Sequence, residues 1–116
     1  MYFAIICFDK PGVGELREKT HDAHLDYLKQ HHTQMQLGGP FENDEGAIVG
    51  TLFIVNVEDH AAANAFTENE PFHKAGVFES VIVRRWRQMQ PEVEIGANAI
   101  TAEEASLQMK EEGQDS

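Results

Sequence analysis

Apolar residues in this chain occur in short blocks that turn-forming residues separate. Residues 2–8 are rich in β-branched and aromatic side chains and are followed by a Pro-Gly turn, which predicts a first strand. Residues 15–36 contain neither glycine nor proline, and their apolar positions recur at helical spacing. This pattern predicts one helix of about five turns. The Leu-Gly-Gly-Pro segment at residues 37–40 is expected to stop it as a loop.

The second half of the chain contains a further helix between two strands. Residues 47–57 are almost continuously apolar and predict a buried strand, and residues 77–88 predict the last strand. The helix between them begins near Asp59, and the Glu70-Pro71 step ends or interrupts it. With a possible short strand near Phe41, the order is βαββαβ. It predicts an α+β fold, a four-stranded antiparallel sheet with two helices on one face.

The opposite face of such a sheet has no predicted element to cover it. Apolar residues of the third and fourth strands would therefore meet water on that side. A second copy stacked sheet to sheet would cover them. The pattern thus predicts a homodimer.

Charge divides the 116 residues into two parts. Residues 1–91 carry 13 acidic and 8 basic side chains, whereas residues 92–116 carry 7 acidic side chains and one basic one, so the net charges are −5 and −6. We expect one folded domain at residues 1–91 and an acidic, largely flexible tail at residues 92–116. An acidic protein repels phosphate backbones, so a nucleic-acid partner is not expected.

Location and redox chemistry are also constrained by composition. No apolar run approaches the roughly 20 residues of a membrane helix, and the N-terminus lacks the basic start and cleavage site of a signal peptide. A cytoplasmic protein without a membrane partner is expected. Cys7 is the single cysteine, so an intrachain disulfide is excluded. It lies in the first predicted strand, which we expect to be buried.

Histidines are concentrated on the first predicted helix, where His21, His24, His31 and His32 lie. His24 and His31 fall within its apolar stripe, where an imidazole needs a partner. Three roles are open: a hydrogen-bonded core residue, a metal ligand together with neighbouring histidines, or an acid–base group. The absence of a His-Glu-x-x-His run or a cysteine pair disfavours metal. Glu70, held before a proline, is the candidate carboxylate for an acid–base pair.

Several segments together resemble the YCII-related family of the dimeric α+β barrel superfamily. They are HDAHLDYL, LGGPF, GTLFIVNVED and NEPFHKAGVFESVIVRRWR, and the resemblance covers residues 1–89. It implies a ferredoxin-like fold, dimers formed through stacked sheets, and a cleft with a cofactor-free acid–base pair. The histidine of that pair maps onto His24 and the acid onto Glu70. The candidate substrate contacts are His21, His73 and Gly39, and neither metal nor cofactor is expected.

Two functional hypotheses follow from the resemblance. One is a lyase or isomerase that acts on a small polar cyclic or phenolic compound, for example by removing hydrogen chloride from a chlorinated hydroxyaromatic ring. The other is a non-catalytic dimeric module that binds a small ligand or is associated with stress. His21 replaces an arginine of the family pattern, Asp22 a proline, and Glu70 an aspartate. These departures favour the second hypothesis, whereas the core-facing position of His24 favours the first.

Overall fold

Residues 1–91, the part of the chain that the structure, a computed structural model, describes, form four strands and three helices. The predicted tail at residues 92–116 lies outside it. The elements are β1 (Tyr2–Asp9), α1 (Gly14–Gln30), β2 (Met35–Glu42), β3 (Ile48–Asn56), α2 (His60–Asn69), α3 (Pro71–Ala75) and β4 (Phe78–Trp86).

The four strands form one antiparallel sheet in the order β2-β3-β1-β4. This is the predicted α+β fold, a ferredoxin-like βαββαβ arrangement with α3 added before the last strand. The predictions for β1, β3 and β4 are confirmed to within two residues at each end. None of the helices in residues 1–91 is long and apolar enough to cross a lipid bilayer.

The prediction for residues 31–40 was wrong. Helix α1 ends at Gln30 instead of continuing to residue 36, and the expected loop is part of an eight-residue strand, β2. Pairing with β3 outweighs the poor strand propensity of Gly-Gly-Pro. Pro40 is tolerated because β2 lies at the sheet edge, and Gly38 fits because a Cβ there would lie 3.2 Å from the carbonyl oxygen of Leu52.

One face of the sheet packs against the helices. Phe3, Ile5 and Cys7 alternate along β1 on this face and are at most 1% exposed. Other residues of this core come from β3, β4 and the helices, including Phe53, Val55, Tyr27, Ala63, Phe66, Phe72 and Phe78. The functional side chains described below lie at one end of this layer.

The other face of the sheet keeps apolar side chains in contact with solvent. Phe8, Leu37 and Ile82 lie on it and are 44%, 41% and 37% exposed. Ile6 of β1 pairs with Leu52 of β3 on the same face, and both are half-buried. This is the surface on which the sequence predicts a second copy.

Candidate active site

His24 is one of the two buried residues of α1, the other being Tyr27. The two residues lie three positions apart and therefore share the face that packs on the sheet. The prediction that His24 lies in the core-facing arc is confirmed, since only 8% of the residue is exposed.

Glu70 occupies the single position between α2 and α3. Its backbone is extended (φ −69°, ψ 129°), as expected for a residue that precedes proline. Its Oε2 accepts hydrogen bonds from the backbone N–H groups of Phe72 (2.9 Å) and His73 (3.3 Å). Glu70 is therefore the N-cap of α3, and these two donors stabilise negative charge on a side chain that is 1% exposed.

The structure brings His24 and Glu70 together. His24 Nδ1 donates a hydrogen bond to Glu70 Oε1 across 46 positions of sequence. An ionised carboxylate can only accept, so this contact places a proton on Nδ1 and leaves Nε2 unprotonated in the neutral ring. Nε2 has no hydrogen-bond partner within residues 1–91 and is not one of the fully buried unpaired atoms there. It is the ring nitrogen that can exchange a proton with a ligand.

Arg17 is a site residue that the sequence analysis missed. It lies seven positions before His24, on the same face of α1. Its Nε and Nη2 donate to the two carboxylate oxygens of Asp9 at 2.6 and 2.9 Å, and Nη2 also donates to Thr51 Oγ1 at 2.9 Å. The seven-residue spacing from His24 was the available signal, but the partners on β1 and β3 could not be inferred from it.

A pocket of about 200 Å³ lies beside these side chains. Its lining combines four polar or basic side chains with aliphatic and aromatic ones and with the backbone of β2. The lining residues are Arg17, His21, His24, Leu25, Leu28, Met35, Gly38, Gly39, Pro40, Ile48, Thr51, Phe53 and Phe72. An engineered cavity of about 150 Å³ holds benzene, so this pocket has room for one substituted six-membered ring.

The remaining predicted contacts divide between the pocket and its surroundings. His21 and Gly39 line the pocket. His73 is half-buried on α3 and is not among the lining residues, because α3 directs only Phe72 into that wall. The contribution of His73 to the site is its backbone N–H, which donates to Glu70 Oε2.

Burial and the charge of Glu70 also affect two neighbouring side chains. Burial, followed by the charges of Glu70 and Asp9, raises the pKa of the Cys7 thiol to about 12, against an opposing effect of Arg17. Burial and then Glu70 raise the pKa of Tyr27 to about 12, and its hydroxyl donates to the carbonyl of Phe66 at 2.7 Å. Cys7 therefore stays a protonated core thiol and is unsuited to nucleophilic chemistry.

The metal alternative required His21, His24 and His31 to converge. His24 Nδ1 is bonded to Glu70, whereas the ring of His31 packs 4.3 Å from that of Tyr27 and its Nδ1 faces Gln34 Oε1. Within residues 1–91 no three histidine, cysteine, aspartate or glutamate side chains are grouped so that they could hold a metal ion. The contact that the geometry does form is the hydrogen bond between His24 and Glu70.

Comparison with known proteins gives consistent matches. Residues 1–87 match the family model of the YCII-related domain. An uncharacterized protein of Haemophilus influenzae is 31% identical over 97 residues, which cover 77% of this chain and 99% of that protein. Protein YciI of Escherichia coli O6:H1 is 32% identical with the same coverage.

A solved structure is also similar, with a TM-score of 0.71 and 35% identity over 77% of this chain and 96% of the other. It is the 5-chloro-2-hydroxyhydroquinone dehydrochlorinase (TftG) of Burkholderia phenoliruptrix AC1100 in complex with 2,5-dihydroxybenzoquinone.

Proposed function

Since the chain belongs to the YCII-related family, we propose that it is a cofactor-independent lyase that acts on a small hydroxylated ring compound. The observation that supports this most is the contact between His24 and Glu70 in the wall of a ring-sized pocket. General acid–base catalysis needs an imidazole that a second group holds in one tautomer. Glu70 is placed to do this and to stabilise the imidazolium that forms when Nε2 takes up a proton.

The pocket chemistry favours a planar, partly polar substrate. Leu25, Leu28 and Ile48 offer apolar contacts for the faces of a ring, and Arg17 and His24 offer polar contacts for its substituents. The solved relative carries a hydroxylated quinone, and its name specifies a chlorinated trihydroxybenzene. We take chlorinated hydroxyhydroquinones as the substrate class to test on this chain.

Elimination from such a ring needs only proton transfers. His24 Nε2 takes a proton from a ring hydroxyl and returns it to the chlorine-bearing carbon, which becomes tetrahedral. Chloride then leaves with the bonding pair as a second hydroxyl gives its proton to the now neutral His24 Nε2, and the products are a hydroxybenzoquinone, chloride and a proton that passes on to solvent. No external oxidant is required, because the two electrons that the ring loses are taken up as a C–Cl bond is replaced by a C–H bond.

The experiment is a chloride-release assay with 5-chloro-2-hydroxyhydroquinone under anaerobic conditions. We expect turnover by the wild-type chain and a loss of about 10²- to 10⁴-fold in His24→Gln. His32→Gln is the matched control, since His32 is exposed on the turn after α1 and its ring bonds only the carbonyl of Lys29 within residues 1–91. Binding of 2,5-dihydroxybenzoquinone without any chloride release would instead support the non-catalytic ligand-binding module.

We further propose that the chain forms a homodimer through the open face of its sheet. Phe8, Leu37 and Ile82 are exposed there, and a second copy stacked on this face would bury them. Sedimentation of the wild-type chain at micromolar concentration should give a dimer, and Ile82→Glu should give a monomer. Arg85→Glu, on the other face of β4, is the control, and a monomeric wild-type chain would contradict the proposal.

A further inference from the structure

Arg17 has unused hydrogen-bonding capacity at the pocket. A guanidinium group carries five N–H donors, and the contacts with Asp9 and Thr51 use one on Nε and two on Nη2. The two donors of Nη1 have no partner within residues 1–91, and Nη1 is not among the fully buried unpaired atoms of that part. Because Arg17 lines the pocket, these donors are available to a ligand.

The guanidinium is also held in a fixed position. Its two contacts with Asp9 are parallel and bidentate, and Thr51 Oγ1 accepts a third hydrogen bond. Its Cζ lies 4.6 Å from the centroid of the Phe72 ring, which adds a cation–π contact. A side chain that already makes four contacts loses little further conformational entropy when a ligand binds. More of the interaction energy with the ligand therefore appears as binding affinity.

Arg17 and His24 meet the same aromatic ring. The His24 ring stacks on Phe72 with centroids 4.1 Å apart, and the Arg17 guanidinium lies over Phe72 as well. One small ring in the pocket can therefore reach both groups. Arg17 is also the single lysine or arginine among the lining residues, so it is the one permanently charged cation in the pocket wall.

We propose that Arg17 Nη1 binds an anionic oxygen of the ligand, so that the pocket selects ionised hydroxyaromatic or hydroxyquinone molecules over neutral ones. This inference rests on the proposed function for its ligand class and adds the group that determines charge selectivity. The ion pair with Asp9 does not cancel this role, because Asp9 contacts Nε and Nη2 and leaves the Nη1 donors to the ligand.

The test is calorimetric binding of two ring compounds at pH 7. The probes are 2,5-dihydroxybenzoquinone, whose acidic hydroxyls make it an anion, and hydroquinone, which is uncharged. We expect the wild-type chain to prefer the anion. Arg17→Met should lose about 10- to 100-fold affinity for the anion, as expected for a lost charge-assisted hydrogen bond, while its affinity for hydroquinone stays the same.

Two further variants keep the result interpretable. Arg17→Met leaves the Asp9 carboxylate buried without its cation, so the double variant Asp9→Asn/Arg17→Met removes both charges and should show the same loss of preference. Arg85→Met, an exposed arginine on β4, is the matched control and should bind as the wild type does.

The outcomes separate this inference from the proposed function. His24→Gln should retain the preference for the anion even though it loses turnover, because Arg17 carries the selectivity. Chloride release by a chain that shows no charge preference, or a preference that persists in both Arg17 variants, would overturn the inference alone. A wild-type chain that prefers the anion but releases no chloride would leave the inference standing and remove the enzymatic proposal.

Discussion

The ring of His24 stacks on the ring of Phe72, with centroids 4.1 Å apart and planes inclined by 22°. Phe72 is 2% exposed, and its backbone N–H donates to Oε2 of the same glutamate that holds His24 Nδ1. One residue of α3 therefore fixes the plane of the imidazole and the position of its carboxylate partner.

Phe72→Leu tests the stacking. The variant keeps the backbone N–H and an apolar side chain but removes the flat surface on which His24 rests, so we expect kcat to fall by about 10-fold or more. The free energy of unfolding should fall by about 1–2 kcal/mol. Phe78→Leu is the control, since Phe78 is also a buried core residue but contacts Phe72 instead of His24. Equal loss of kcat in both variants would count against the interpretation.

Glu70→Gln tests the negative charge of Glu70, because it removes the charge and keeps the size of the side chain. Glutamine keeps the length of the side chain but cannot stabilise an imidazolium, and its amide nitrogen cannot accept from α3. We expect kcat to fall by about 10²- to 10⁴-fold and stability by about 1–3 kcal/mol. Glu70→Asp keeps the charge and should retain more activity than Glu70→Gln. The pH–rate profile is the decisive readout, because a purely structural role would change stability and leave its shape intact.

Alkaline pH should destabilise the fold through Cys7. The ordinary thiol pKa of 9.0 rises to about 12 in the folded chain, so between these values the unfolded thiol has lost its proton and the folded one has not. The unfolded state then binds fewer protons, and stability falls as pH rises, by at most about 1.4 kcal/mol per pH unit for one group. Below pH 9 this contribution is complete and constant.

Urea unfolding at pH 8, 9, 10 and 11 measures this effect. Cys7→Ala should be less stable at pH 8 but should show a shallower decline above pH 9. Tyr27 adds a similar contribution above pH 10, since its pKa also rises to about 12, so Tyr27→Phe should flatten the upper part of the curve. A decline of the same steepness in Cys7→Ala would contradict the assignment.

Gly50 should be the glycine of the sheet that least tolerates a side chain. A Cβ at this position of β3 would overlap the backbone carbonyl oxygen of Cys7 and lie 3.1 Å from the Phe41 ring. We expect Gly50→Ala to cost at least about 2–3 kcal/mol of stability, because backbone has to move. A Cβ at Gly39 on β2 would meet no atom of residues 1–91 within 4 Å, so Gly39→Ala should change stability by less than about 0.5 kcal/mol. Chemical denaturation of both variants compares them directly.

Local pattern was sufficient for most of the fold. The strands β1, β3 and β4 are rich in residues that favour strands, and turn residues mark their ends, so their sequences indicate them directly. Strand β2 was predicted only as a short strand near Phe41, because the Gly-Gly-Pro segment before it has low strand propensity. It forms a strand because β3 offers a partner along its whole length, which is a tertiary effect.

The candidate site was partly predictable for a similar reason. The helical spacing placed His24 toward the core, and the proline after Glu70 indicated a fixed carboxylate. That the two meet could not be derived, because the contact depends on how α1 and α3 pack. Arg17 was missed because an arginine near the start of a helix usually faces water, and its partner Asp9 lies in a different element.

The carboxylate of Glu70 uses its two oxygens for different purposes, one to begin α3 and the other to hold the imidazole. The position of the Glu70 carboxylate is thus fixed where the backbone turns from α2 into α3, and a chain that misfolds at this junction also loses the contact between Glu70 and His24. Attempts to redesign ligand preference should therefore vary the opposite wall, where Gly39, Pro40 and Ile48 border the pocket without anchoring any helix. Changes there can reshape the opening while the contact between His24 and Glu70 stays as it is.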